Sequence, residues 1–162
     1  FSMMTQVIGR AGRGDFEGKA IIQTFTPENS IIELAARQDY VGFYRNEIQI
    51  RKLMLYPPFV DLCVVGFIGS NEAKTLDVAM KFFSEIKKLA ASKYSQMPLR
   101  IFKPTQANIN KVGGKYRVKI LIKCKNNKIF RNMISDMLMI NKTKIKNNSV
   151  NVFVDINPDT VL

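Results

Sequence analysis

Gly113-Gly114-Lys115-Tyr116-Arg117-Val118-Lys119-Ile120-Leu121-Ile122-Lys123-Cys124-Lys125 alternates cations with apolar residues over most of its length. Two consecutive glycines supply a turn, and the period of two that follows predicts a strand over Lys115–Cys124. On such a strand Tyr116, Val118, Ile120 and Ile122 share one face. Lys115, Arg117, Lys119, Lys123 and Lys125 fall on the other, interrupted only by Leu121. The apolar face has to be covered. The cationic face repels itself unless it is solvated or meets an anion. An ordinary wet strand face and an anion-binding face fit this pattern equally well.

Reading outward, the period switches between two and 3.6. Phe59–Ile68 predicts a strand, and Ser70 or Asn71 caps a helix running to about Ser92. Leu76, Ala79, Met80, Phe83, Ile86 and Ala90 form its expected buried stripe, with Glu72 and Asp77 early and Lys87 and Lys88 late, as the helix dipole prefers. Leu99–Phe102 is a short strand closed by Pro104. After the central strand, Asn126 or Asn127 caps a helix with Phe130, Met133, Ile134, Met137 and Leu138 on one face. Asn147-Asn148 turns the chain into a last strand, Val150–Ile156, which Pro158 ends. The order β-α-β-β-α-β over residues 59–162 is that of an α+β, ferredoxin-like sandwich. An RNA-recognition fold shares this order but needs aromatic residues on its exposed strand face. Tyr116 has the parity of the apolar face, which sets that reading behind.

Upstream, Lys19–Phe25 is β-branched and aromatic-rich and predicts a strand stopped by Pro27. Ser30–Met54 is helical, as one helix or as two broken near Asp39–Gly42, and Tyr56-Pro57-Pro58-Phe59 ends it. This divides the chain into residues 1–27, 28–58 and 59–162. At the start, Gln6-Val7-Ile8-Gly9-Arg10-Ala11-Gly12-Arg13-Gly14 sets two arginines among three glycines. A glycine turn lets a phosphate chain come close, and each guanidinium offers a planar fork to its oxygens. Solvated arginines on a surface turn are the alternative.

Composition narrows the chemistry. The 162 residues carry 25 Lys+Arg against 13 Asp+Glu, a formal charge of +12, which points to a polyanionic partner. With no histidine, a histidine base, a Ser-His-Asp triad and a His-ligated zinc are excluded. Cys63 and Cys124 lie in apolar runs without C-x-x-C spacing and read as core thiols of a reduced, cytoplasmic protein. Gly18-Lys19-Ala20 and Gly114-Lys115-Tyr116 lack the Ser/Thr and the earlier glycine of a phosphate loop. Asp155 reads as a strand-end residue. No apolar run approaches the roughly 20 residues that span a bilayer, so no membrane is expected. Phe1-Ser2-Met3-Met4 is no signal peptide, and a chain starting without Met fits a piece of a longer one.

The spacing Q-x-x-G-R-x-G-R, followed by Gly18 and Ile22-Gln23-Thr24, resembles motif VI of superfamily-two helicases and the strand after it. With Asp39-Tyr40, Phe43-Tyr44, Glu47, Arg51-Lys52, Tyr56-Pro57-Pro58-Phe59, Gly113-Gly114-Lys115-Tyr116-Arg117 and Val154-Asp155-Ile156-Asn157-Pro158, the whole chain resembles the C-terminal portion of the bacterial primosomal replication-restart helicases, the primosomal protein N-prime family. Gln38, where the family often has histidine, and Lys103, where it often has glycine, depart from the pattern.

The resemblance implies a parent that unwinds branched DNA 3′ to 5′ with ATP and assembles the primosome at stalled forks. Residues 1–27 would be the end of the second RecA-like lobe, 28–58 a helical connector and 59–162 the C-terminal domain. Arg10 and Arg13 would reach the γ-phosphate of ATP, and Gln6 and Gly9 would couple nucleotide state to the lobe interface. Lys115, Arg117, Lys119 and Lys123 would meet DNA or the acidic tail of single-stranded DNA-binding protein, Lys115 and Lys119 matching the tail site. ATP, Mg²⁺ and the parent's zinc would be held mainly by regions outside this segment, which would hold no zinc and hydrolyse no ATP alone. Other primosome proteins are the remaining expected partners. The rival reading is a stand-alone basic ferredoxin-like nucleic-acid-binding module.

Overall fold

The computed structural model describes residues 1–11, 18–145 and 149–159, without the side chains of 108–110. It divides into two units, Phe1–Met54 and Leu55–Leu162. The first unit holds three helices, α1 (Ser2–Ile8), α2 (Ser30–Ala36) and α3 (Tyr40–Met54). The oxygen of Asn29 accepts the Ile31 N–H at 2.9 Å and starts α2. Arg37 and Gln38 end it, Gln38 in the left-handed region at φ 53°. Asp39 then accepts the Gly42 N–H at 2.8 Å at the start of α3, so the helical stretch is two helices. Phe1 stacks on Phe43 with centroids 4.3 Å apart. Ala35 is the one fully buried residue among those described in this unit.

Gln6 belongs to α1, with Gly9 at its C-terminus in ordinary helical conformation, while Gly12, Arg13 and Gly14 of the expected turn lie outside the described residues. One expectation fails here. Residues 19–25 form no strand, and the described part of 1–27 shows no RecA-like sheet. A strand persists only with a neighbour for its ladder and cover for its side chains. Ile21 and Phe25 are fully exposed, and no described strand pairs with this segment.

The second unit is a five-stranded antiparallel sheet backed by two helices, in the predicted α+β architecture. Its elements are β1 (Asp61–Gly69), α4 (Glu72–Ser92), β2 (Arg100–Ile101), β3 (Thr105–Val112), β4 (Lys115–Cys124), α5 (Lys128–Ile140) with a π-helical turn (Asn141–Ile145), and β5 (Val150–Ile156). The order is β2-β4-β1-β5, and β3 joins β2 along the same flank of β4. Gly113 and Gly114, at φ 56° and 75°, form the two-residue turn that pairs Val112 with Lys115. Sequence reading missed β3. Thr105 favours a strand, but the Ala and Asn that follow are depleted in strands, and the pairing of β3 slips between Gln106 and Lys111. The expected turn at Asn147-Asn148 lies outside the described residues.

Cys63, Val65 and Phe67 of β1 and Val118, Ile120 and Ile122 of β4 face the helices. Phe82 meets Phe67 edge-on at 5.3 Å, and Phe130, Met133 and Met137 of α5 complete the core. The helices start as expected: Asn71 accepts the Lys74 N–H and Asn127 the Phe130 N–H, each at 2.9 Å. The expected stripe of α4 holds in part: Ala79 and Ile86 are buried and Phe83 and Ala90 pack against the core, whereas Leu76 and Met80 are exposed and Thr75, Val78 and Phe82 are buried as well. The Thr75 hydroxyl donates to the Asn71 carbonyl at 2.7 Å, which lets a polar residue enter the core and widens the face.

Asp61 ties the mouth of the sheet together. Its carboxylate accepts the Asn126 N–H at 2.7 Å and the Asn157 amide at 2.8 Å, while Asn157 accepts the Leu62 N–H at 2.9 Å. The Asn126 bond and then the Asn157 bond lower the Asp61 pKa below its ordinary 3.8. A lowered folded pKa gives stability that is full above the ordinary value and lost as pH falls through the lowered one. Asp61→Ala should therefore cost about 1 kcal/mol near neutral pH, the figure for such bonds after discounting solvent exposure. Urea melts should show this difference shrinking on acidification below about pH 4. A constant difference would assign the loss to packing alone.

Candidate anion and nucleic-acid interface

The alternation of β4 directs Lys115, Arg117, Lys119 and Lys123 to the sheet face opposite the helices, beside Leu62, Gly66 and Ile68 of β1 and Asn151, Phe153 and Asp155 of β5. This face is not uniformly wet. Leu62 and Val64 are buried on it. The Phe153 ring lies so close over Gly66 that an added Cβ would sit 2.2 Å from it. Lys123 is 8% exposed, its ammonium 3.8 Å from the Tyr56 ring centroid and 5.7 Å from that of Phe102. Burial, with the neighbouring Arg100 charge second, pushes the Lys123 pKa down. Burial also lowers that of Lys119.

At the Gly113-Gly114 end the face opens. Lys115 and Arg117 line a groove of about 580 Å³ with Ile68, Ser149 and Asn151. The Arg117 Nε is buried and finds no acceptor among the described residues. An anion in the groove would meet the guanidinium of Arg117 beside the Lys115 ammonium. Lys111 lies 4.9 Å from the Tyr116 ring centroid and adds a further cation near the turn.

The four proposed face residues therefore divide. Lys115 and Arg117 share the groove, Lys119 follows beside Gly66 and Phe153, and Lys123 stands at the far end under Tyr56. Arg10 and Gln6 are exposed in the first unit, and Arg13 lies outside the described residues. Tyr56, Phe102, Phe153, Ser149 and Asn151 were missed by sequence reasoning. For Asn151 and Phe153 a signal existed, since Val-Asn-Val-Phe-Val-Asp-Ile sends every second residue away from the valine face. Among the described residues no group of His, Cys, Asp and Glu could hold a metal ion, and no helix is long and apolar enough to cross a membrane. Burial pushes both the Cys63 and Cys124 thiols up to about 12, so they are inert core groups.

Comparison with known proteins decides the family. Residues 52–159 match the pattern described as the Primosomal protein N C-terminal domain. The chain belongs to this family. It is 34% identical over 160 residues, 99% of its own length, to Replication restart protein PriA of Chlamydia trachomatis, of which it covers 20%. To the protein of that name in Bacillus subtilis it is 31% identical over 158 residues, covering 98% of this chain and 19% of the relative. To that of Rickettsia conorii it is 36% identical over 122 residues, 75% of this chain and 18% of the relative. The chain thus spans about a fifth of the length of the primosomal relatives it matches. Among solved structures it is similar to the de novo designed protein Foldit4, with a TM-score of 0.43 and 15% identity over 62% of this chain and 99% of the other.

The cover on the open face of this primosomal domain can be tested by crowding it. Gly66→Ala should destabilise by about 1–3 kcal/mol, because the Cβ collides with the Phe153 ring. Phe153→Leu should relieve much of that loss, so that the double variant is less destabilised than the two single changes added. Strict additivity in chemical denaturation would show that Phe153 does not cover Gly66.

Proposed function

We propose that the chain is the C-terminal part of an ATP-dependent 3′ to 5′ DNA helicase that restarts replication. In this reading its open sheet face holds polyanions: DNA, and the acidic tail of single-stranded DNA-binding protein. Similarity along almost the whole chain to proteins named Replication restart protein PriA supports the first statement. The observation that carries the second is the groove that Lys115 and Arg117 line together, with no carboxylate among its described lining residues. Lys115 supplies an exposed point charge at its mouth, and Ser149 and Asn151 supply polar groups on the opposite wall. Lys119 extends the cationic track along β4.

Arg10 and Arg13 belong to the parent's nucleotide chemistry. Bound ATP supplies the phosphoanhydride whose hydrolysis drives movement along DNA. The role of the arginines is to place fixed cations against the charge that develops at the γ-phosphate. Arg10 is exposed directly after α1, where it can meet a phosphate presented by another part of the parent. Gln6 and Gly9 precede it and would couple nucleotide state to the lobe contact. ATP and Mg²⁺ would be bound mainly elsewhere in the parent, as would its zinc. The core thiols and the lack of histidine do not suit a zinc site in this segment.

Fluorescence anisotropy separates the two ligands. Single-stranded DNA should bind with a logarithmic salt slope of about −0.7 per phosphate contact, and a tail peptide with a shallower one. Lys115→Ala should weaken the peptide by about 1–3 kcal/mol, and Lys142→Ala, in the π-helical turn, should leave it unchanged. Equal peptide binding by both variants would leave the face merely solvated. In the full-length parent, Arg10→Ala or Arg13→Ala should lower ATP turnover by roughly 10³-fold with DNA affinity nearly intact. Parallel loss of DNA binding would instead make these arginines DNA ligands.

A further inference from the structure

A second groove, of about 680 Å³, lies at the end of β4 remote from Gly113-Gly114, between Pro58-Phe59-Val60 and Pro98-Leu99-Arg100. Its walls are mostly apolar, yet Arg100, Lys123 and Lys125 stand around it. Arg100 is paired directly opposite Lys123 across β2 and β4. Lys123 is covered by Tyr56, so an anion in the groove would meet the Arg100 guanidinium, with the Lys123 charge behind it. Asp61 also lines the groove as a carboxylate held ionised by the Asn126 N–H and the Asn157 amide and facing the Lys125 charge, so the three cations leave the groove with a net positive charge. The apolar part includes an aromatic ring that the fold leaves out: Phe59 is 42% exposed. Tyr56 and Phe102 flank Lys123 next to it.

Exposed rings interleaved with cations are what single-stranded nucleic acid selects, since bases stack on the rings and the backbone meets the charges. A carboxylate-bearing peptide would use the cations without needing a flat exposed ring. The +12 charge of the chain favours the polyanion further. We propose that this groove is a nucleotide subsite for single-stranded nucleic acid. One base lies against Phe59, and the phosphates on either side of it meet Arg100 and Lys125. The inference rests on the nucleic-acid reading of the open face and adds a second anchor to it, at the other end of β4.

The test uses the whole chain and a labelled oligothymidine of about twelve nucleotides, within the usual span of such sites. Phe59→Ala should weaken binding about tenfold at fixed salt without changing the salt slope, and Phe59→Tyr should restore it. Arg100→Ala should weaken binding and make the slope shallower by about 0.7. Circular dichroism selects the folded variants. If Phe59→Ala does not fold, Phe59→Leu, which keeps apolar bulk without a ring, takes its place. Wild-type affinity and slope in both the Phe59 and Arg100 variants would overturn the proposal. So would a larger effect of Phe59→Ala on a labelled Asp- and Phe-containing peptide than on the oligonucleotide, which would make the occupant a peptide. The Lys115→Ala/Arg117→Ala double variant distinguishes the two grooves. If it alone loses DNA, only the first site exists. If it binds DNA normally while the Phe59 and Arg100 variants do not, the first reading fails and this subsite stands.

Discussion

The antiparallel ladder between β1 and β4, from Asp61 opposite Cys124 to Gly69 opposite Tyr116, sets the orientation of nearly every side chain that matters. Successive residues of a strand point to opposite faces, so one register assigns both faces at once. With Cys63, Val65 and Phe67 opposite Ile122, Ile120 and Val118, the helical side is closed and apolar. The same register places Lys123, Lys119 and Arg117 opposite Leu62, Gly66 and Ile68 on the other side. A slip by one residue would drive three cations into the core, where desolvation without partners is prohibitive. The cationic face and the core are therefore one constraint seen from its two sides.

That constraint leaves the cations unequal. Midway along the face, the missing side chain of Gly66 leaves room for the Phe153 ring, and Leu62 and Val64 are sealed from water. Burial makes Lys119 and Lys123 easier to deprotonate, a cost that an approaching anion would reduce. At either end the cover stops. One end presents Lys115 and Arg117 over mixed walls of Ile68, Val112, Ser149 and Asn151, the other Arg100 and Lys125 over mostly apolar ones. Ligands that need charge alone and ligands that need charge with a stacking surface would accordingly favour different ends.

What could be read from the residues follows how local each signal is. The strand Lys115–Cys124, the caps Asn71 and Asn127, and the break at Tyr56-Pro57 depend on residues within one element, and all are found. The face of α4 was read only in part, because Phe82 and Phe83 are adjacent and Thr75 looks polar until its hydroxyl meets the Asn71 carbonyl. β3 was invisible because an edge strand needs little apolar content. Residues 19–25 carry strand propensity that no described partner satisfies. The cation–π contact of Lys123 with Tyr56 joins residues far apart in sequence, and no spacing rule announces it. The two grooves likewise emerge only when separate elements are brought together by the sheet.

The two units differ in how their helices are held. In the second, α4 and α5 each lay several fully buried residues on the sheet and start at an asparagine cap. In the first, α1 and α2 are 7 residues each, below the length at which an isolated helix persists in water. Their tertiary support is slight, since Ala35 is the one fully buried residue described there. Met3, Val7, Leu53 and Met54 remain exposed. A geometry precise enough to stabilise charge on a phosphate requires side chains held by rigid surroundings. The second unit provides such surroundings for its own cations through β4. Arg10, exposed after a short helix, has no comparable frame among the described residues of its unit.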